Sequence, residues 1–343
     1  MLFIFYYFFI LSPYIFYNYL SRTMFSINAT FSVNPQMLSE ITPLVIVLSF
    51  MIPTGIFGNV FVIYIYASYT KKSNIERFLV ALAAFNLVGC TVGMPLGMID
   101  LRLTTSYPSI HICKLYKLVI IYCFMTTSFT LLTISVERYY KKCRSLKRQL
   151  SEWDCKALCF LIAFVSLLTS LPVIFYSDVF VLQSHTDKYI ICAYNTGLWF
   201  WIYMLFILVF HIILLIITTT LITYVHFYLK RYRLGEIQMI NTTKEMSTST
   251  VEHKNQTNVI FIMLSLVYIV SFTPNFVLNV TYPLFKNVSL LQNVKRILER
   301  FWILNSCLNP VICGLCYRKC RKHFSNAFNI SEENSVSKSE DVL

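Results

Sequence analysis

Long apolar stretches alternate with short polar ones along the chain, near 41–68, 75–98, 110–140, 154–176, 198–229, 258–282 and 297–316. Each is long enough to cross a hydrocarbon core as a helix, which takes roughly 20 residues. Lipid offers no partner to a backbone amide, so such runs must satisfy their hydrogen bonds internally. The pattern predicts an all-α membrane protein, a seven-transmembrane helix bundle over 41–316. No internal repeat emerges and neither half resembles the other, which argues against many transporter architectures.

Composition agrees with that reading. Apolar residues make up 57% and charged residues 13%, the latter about half the share of a soluble domain. The net charge of +13 sits in short loops between apolar runs, the mark of membrane topology and not of a basic groove, so no nucleic-acid partner is expected. Most of the 29 Lys and Arg residues fall in alternate connections, those holding Lys71 to Arg77, Arg138 to Lys156 and Lys230 to Lys254, and after the last run. The basic-rich side is expected to be cytoplasmic. That makes a multi-pass membrane protein with its amino terminus outside and its carboxyl terminus inside.

Residues 1–40 are then an extracellular segment. Its opening 1–23 reads as a cleaved leader or as an unused start ahead of Met24, because an eighth span conflicts with the Lys/Arg bias. Asn28, in "NAT", is a glycosylation acceptor on the outer side. The connection between the fifth and sixth runs, and the tail over 329–343, are polar and Ser/Thr-rich; both read as disordered cytoplasmic segments open to phosphorylation.

The third run ends in "LLTISVERYYKKCRS", with Glu137 beside Arg138 ahead of a basic cluster. From Cys113 to Glu137 a helix rises about 36 Å, one hydrocarbon core and part of a headgroup layer. The charged pair should therefore lie where cytoplasmic water begins, with Cys113 at the outer mouth. Of eleven cysteines, only Cys113 and Cys192 fall on the outer face, where disulfides persist. They are the pair expected to tie the third span to the loop before the fifth.

Taken with seven spans and that cysteine pair, "GNV" (58–60), "ERY" (137–139), "SFTP" (271–274) and "NPVIC" (309–313) resemble the rhodopsin-like family of G-protein-coupled receptors over about 41–328. The resemblance implies a seven-helix bundle with a short amphipathic helix on the inner membrane surface. "YRKCRKHFSNAF" (317–328) fits that helix, with Tyr317, Cys320 and Phe324 at helical spacing. The resemblance also implies a cell-surface receptor that binds an extracellular ligand and promotes nucleotide exchange on a heterotrimeric G protein. Arrestin, receptor kinases and membrane lipids are further partners it suggests. No cofactor, metal or catalytic residue is expected. Glu137 would restrain Arg138 at rest within Glu137–Arg138–Tyr139, with Tyr224 as the active-state partner and Lys254 on the same cytoplasmic surface. Phe272 with Pro274, and Asn309 with Pro310, would be the moving parts of the sixth and seventh helices.

Several positions depart from the family pattern. Phe272 stands where a Trp is usual, Cys313 where a Tyr is usual, Ile216 where a Pro is common, and Ala163 or a neighbour replaces the fourth-helix Trp. Asn86 stands at the place of an Asp that normally holds sodium, leaving Thr127, Ser306 and Asn309 as neutral oxygens.

The third helix presents Lys117, Ile120 or Ile121, Phe124, Thr127, Leu131, Ile134 and Arg138 at steps of three and four. Ile120 cannot serve as the Asp that amine receptors use, and Ile303 replaces the Schiff-base Lys of opsins. Phe124, Phe272 and Trp302 are expected as an apolar floor beside Ile303. Asn275 and Asn279 offer amides, and Asp100, Lys117, Glu299 and Arg300 form a mixed-charge rim that a peptide would complement. His211 reads as a hydrogen-bonded core residue. An enzyme finds no motif to support it. A transporter or channel would need a polar path through the midplane, and a ligand trap would bind without signalling. With Asn86 uncharged, replacing sodium by a large inert cation is expected to leave agonist affinity unchanged; a large rise would overturn this.

Overall fold

The computed structural model describes residues 35–67, 72–102, 107–144, 150–183, 188–195, 197–240, 248–281 and 297–316. The amphipathic segment at 317–328, the tail, Asn28 and residues 1–23 lie outside them. Six helices are long and apolar enough to cross a membrane: Thr42–Ala67, Asn74–Leu101, Ile110–Cys143, Glu152–Tyr176, Leu198–Arg231 and Ile260–Leu278. A further helix, Trp302–Cys316, completes a seven-helix bundle. These are called the first to seventh helices below.

Local chemistry sets the helix starts. Ser73 and Ser151 each open a capping box, with Glu76 and Asp154 reaching back to the cap amides. Ser109 Oγ accepts from the His111 amide at the head of the third helix. The first helix begins at Pro35, inside the stretch read as an N-terminal segment. The second is interrupted by a π turn at Gly89–Gly93 before it resumes as Met94–Arg102. Pro95 has no amide to return to the preceding turn, and the π turn just upstream absorbs the break.

One expectation needs correcting. The polar connection between the fifth and sixth spans was expected to be disordered, yet helix continues to Ile240 and restarts at Thr248. Hydropathy marks the bilayer, whereas Lys, Arg, Glu, Gln and Met favour helix beyond it. The loop before the fifth helix is a hairpin, β1 (Ser177–Gln183) against β2 (Lys188–Tyr194), antiparallel with Val179 opposite Cys192. The Cys113–Cys192 disulfide forms as expected. It pins β2 to the third helix, and the Tyr107 amide adds a bond to Ile190 O.

The third helix is the pillar of the bundle: 72% of its apolar window is buried, against 22% in the fourth helix and 28% in the fifth. Around its middle, Phe124 packs against His211, Tyr268, Phe272 and Phe276 with centroids 4.4–6.1 Å apart. The seventh helix is entered through tight turns over 297–301, in which amides bond carbonyls three residues back, and it leans closely on its neighbours. A Cβ on Gly93 would come within 2.7 Å of Trp302, and one on Gly58 within 2.7 Å of Pro310.

The ring of Pro310 cannot swing aside. Gly58→Ala is therefore expected to lower stability by about 1–3 kcal/mol, read as thermal unfolding of the protein in lipid nanodiscs. Gly197→Ala, with nothing within 4 Å of the new Cβ, should stay within about 0.5 kcal/mol of the parent.

Candidate functional site

At the hairpin end of the bundle four charges converge. Arg300 Nη2 lies 3.0 Å from Asp100 Oδ2 with both side chains largely buried. Removing one partner of such a pair costs about 3–5 kcal/mol. This bridge joins the second helix to the turn before the seventh, so the two residues hold one another rather than standing apart on a rim. Asn275 also ties helices, since its Nδ2 donates to Glu299 O at 3.0 Å. The Asn279 side chain lies outside the described residues.

Lys117 is 8% exposed. Its ammonium sits 4.8 Å from the centre of the Tyr194 ring and 5.4 Å from that of Tyr116. Burial, reinforced by the charges of Glu299 and Asp100, pushes the Tyr194 phenol up. Burial, with Asp100 adding to it, does the same to Tyr107. Tyr194 is thus a neutral aromatic wall and not a phenolate counter-ion for Lys117.

Below this lie the apolar residues picked out from the sequence. Ile120, Phe124, Phe272, Trp302 and Ile303 are all buried in the core. One step deeper, the structure adds a chain that periodicity had not assembled. Ser128 Oγ meets Tyr268 Oη, which lies 2.8 Å from His211 Nδ1, while His211 Nε2 is 3.2 Å from Thr273 Oγ1. The third, fifth and sixth helices thus share one neutral polar chain, and His211 is the hydrogen-bonded core residue expected.

Between the second, third and seventh helices lies an amide cluster. Asn305 Nδ2 donates to Asn86 Oδ1 and Thr127 Oγ1, both at 3.1 Å, and Asn309 Nδ2 reaches Asn305 Oδ1 at 3.4 Å. Asn305 was not among the residues chosen from sequence; its place one turn ahead of Asn309 was the available signal. Ser306 serves through its carbonyl, which accepts from Asn59 Nδ2 at 2.8 Å.

At the opposite end, Glu137 and Arg138 are each 4% exposed, packed under neighbouring side chains at the end of the third helix. Tyr140, which is 42% exposed, and Lys141 follow directly. Arg138 is covered from the sixth helix, whereas Glu137 lies toward Asn74 at the start of the second. Glu137 Oε1 lies 3.9 Å from Lys141 Nζ. The Arg138 guanidinium stacks on Phe261 of the sixth helix, 4.6 Å from its centre. Tyr139 meets Tyr224, ring centres 5.6 Å apart. The Lys254 side chain is outside the described residues. Pro274 and Pro310 lie inside the sixth and seventh helices.

The sequence profile of the "7 transmembrane receptor (rhodopsin family)" matches residues 58–313. The C3a anaphylatoxin chemotactic receptor of Oncorhynchus mykiss is 32% identical over 145 residues, covering 41% of this chain and 39% of that protein. The type-1 angiotensin II receptor B of Xenopus laevis is 26% identical over 300 residues, 81% of this chain and 77% of that one. The profile spans the glycine of "GNV" to the cysteine of "NPVIC" and takes in every layer just described: the chain belongs to the rhodopsin family of seven-transmembrane, G-protein-coupled receptors.

Proposed function

We propose that the protein is a cell-surface receptor with its hairpin end and amino terminus outside, which binds a peptide at that mouth and promotes nucleotide exchange on a heterotrimeric G protein at the Arg138 end. The family and its relatives are receptors and not enzymes, and the similar proteins carry C3a and angiotensin II in their names. The Lys/Arg bias supports this orientation. The Ser/Thr-rich cytoplasmic segments suit phosphorylation by receptor kinases and arrestin binding.

One observation carries the mechanism: Arg138, buried, is covered by Phe261 of the sixth helix. A sixth helix that swings outward at this end uncovers the guanidinium and opens a cleft for a partner. The Phe124 cluster holds the third helix against the fifth and sixth higher up. A ligand at the mouth biases two states of one packed assembly, by as much as it prefers one of them.

Two variants test this. Arg138→Ala is expected to reduce ligand-driven nucleotide exchange by about tenfold or more, a loss of roughly 1.4 kcal/mol, with surface expression intact; binding without any exchange in the parent would mark a ligand trap instead. Phe261→Ala removes the cover and should raise basal exchange about 2- to 5-fold, the scale of one cation–π contact. Exchange in membranes from cells expressing each variant is the readout, and an unchanged or lowered basal rate for Phe261→Ala would count against the swing.

A further inference from the structure

Lys117 is largely buried, and no described residue supplies its ammonium with an acceptor. It lies one helical turn below Cys113, so its ammonium sits under the disulfide-pinned hairpin, about 6 Å deeper along the third helix. Two aromatic faces, Tyr116 and Tyr194, flank it. Among the described residues it makes no hydrogen bond and no ion pair. An ammonium carries three donors, and none of those of Lys117 is taken up by a described residue, which leaves them open to an arriving acceptor. Ring faces attract a cation but accept none of those hydrogen bonds in the manner of an oxygen.

The acids of the mouth do not supply the acceptor. Asp100 directs its carboxylate to Arg300 at 3.0 Å, and although Lys117 and Asp100 feel one another's charge, no contact joins them. Glu299 has contacts of its own. The same acids restrict what can arrive. A doubly charged phosphate group would face Asp100 and Glu299, and Arg300, the residue with the planar fork suited to such groups, is engaged by Asp100. A cationic ligand group would meet the ammonium head-on. A single carboxylate matches the site: one negative charge, two oxygens, and a short charge-assisted bond to an ammonium. Ile120 and Phe124, on the next turns of the same helix, are buried and apolar, so the residue bearing or flanking that carboxylate would place an apolar side chain beneath it.

We propose that Lys117 anchors a carboxylate of the ligand, held between Tyr116 and Tyr194. This rests on the peptide-receptor reading above and sharpens it. The carboxylate has two sources in a peptide, the free carboxyl terminus or an Asp or Glu side chain.

The experiment uses the full chain in lipid nanodiscs and pools of short random-sequence peptides, made with a free carboxyl terminus or an amide and with or without Asp and Glu. Retention on the protein is measured by affinity selection and mass spectrometry, against empty nanodiscs. At least one acid-bearing pool is expected to be retained about tenfold more than the pool with no carboxylate, the scale of one hydrogen bond to a charged group. Retention of the free-terminus pool without Asp or Glu identifies the carboxyl terminus as the source; retention of the amidated pool with Asp and Glu identifies a side chain. Lys117→Met should abolish the preference and Lys117→Arg should keep part of it; the comparison of pools on the parent protein stands even if a variant fails to fold. Equal retention of the carboxylate-free pool would overturn the inference and leave the peptide-receptor reading in place. An acid preference that survives Lys117→Met would overturn the role of Lys117. No retention of any pool above empty nanodiscs would overturn both.

Discussion

Hydrocarbon gives a backbone amide no partner outside its own helix, and from that constraint most of the architecture follows. It makes each apolar run a helix before any contact between helices is considered. It also removes the hydrophobic drive that assembles a soluble core, since a lipid tail is as apolar as a leucine. What holds these helices together must then be close packing and polar ties. The structure uses both on the seventh helix: Gly58 against Pro310 and Gly93 against Trp302 for packing, and Asn59 and Asn305 for ties. The outer disulfide adds a covalent tie where the helices leave the membrane.

These ties are unevenly spread. The first, second, third and seventh helices share the amide cluster and the glycine contacts. The sixth is joined to the third by aromatic packing around Phe124, by the Tyr268 hydroxyl, and by Phe261 over Arg138. Stacked rings and neutral hydrogen bonds re-form easily in a shifted register, whereas a glycine pressed on a proline ring does not. The contacts named here between the inner half of the sixth helix and the third are thus of the exchangeable kind. Near the mouth, Asn275 fastens the same helix to the Glu299 carbonyl, which gives it a pivot end and a free end.

Much of this was legible in the sequence, for physical reasons that also explain the gaps. Hydropathy places the spans to within a few residues because burial in lipid imposes one length. Topology leaves Cys113 and Cys192 as the pair on the oxidising side. The hairpin over 177–194 was missed, since two short strands between long helices carry little periodic signal beside their flanks. The π turn at Gly89–Gly93 was missed because a single extra residue in a turn leaves composition unchanged. The burial of Glu137 and Arg138 under their neighbours was not legible, because it depends on which side chains of other helices meet the end of the third. Asn305 went unnoticed for a related reason: its role comes from two other helices meeting the seventh, a fact of tertiary packing. Lys117 was identified as a mouth residue, but its lack of an acceptor among the described residues and the mutual engagement of Asp100 and Arg300 are visible only in three dimensions.

The distribution of charge sets a limit on how a signal crosses this bundle. Buried charges occupy both ends, Asp100, Lys117 and Arg300 at one and Glu137 and Arg138 at the other. Between them, the polar side chains named here, Asn86, Thr127, Ser128, His211, Tyr268, Thr273 and Asn305, form neutral hydrogen bonds. A charge at the midplane is expensive, and a chain with Asn in place of Asp at position 86 has avoided one. Among the described residues, the polar ties of the middle layer are therefore amides, hydroxyls and an imidazole, with no carboxylate among them. What remains is repacking: each neutral interhelical bond in a membrane is worth roughly 0.6 kcal/mol on average, small enough for several to exchange partners together. Coupling between a charged mouth and a charged inner end then runs through steric fit of aromatic rings and the re-pairing of hydroxyls and amides.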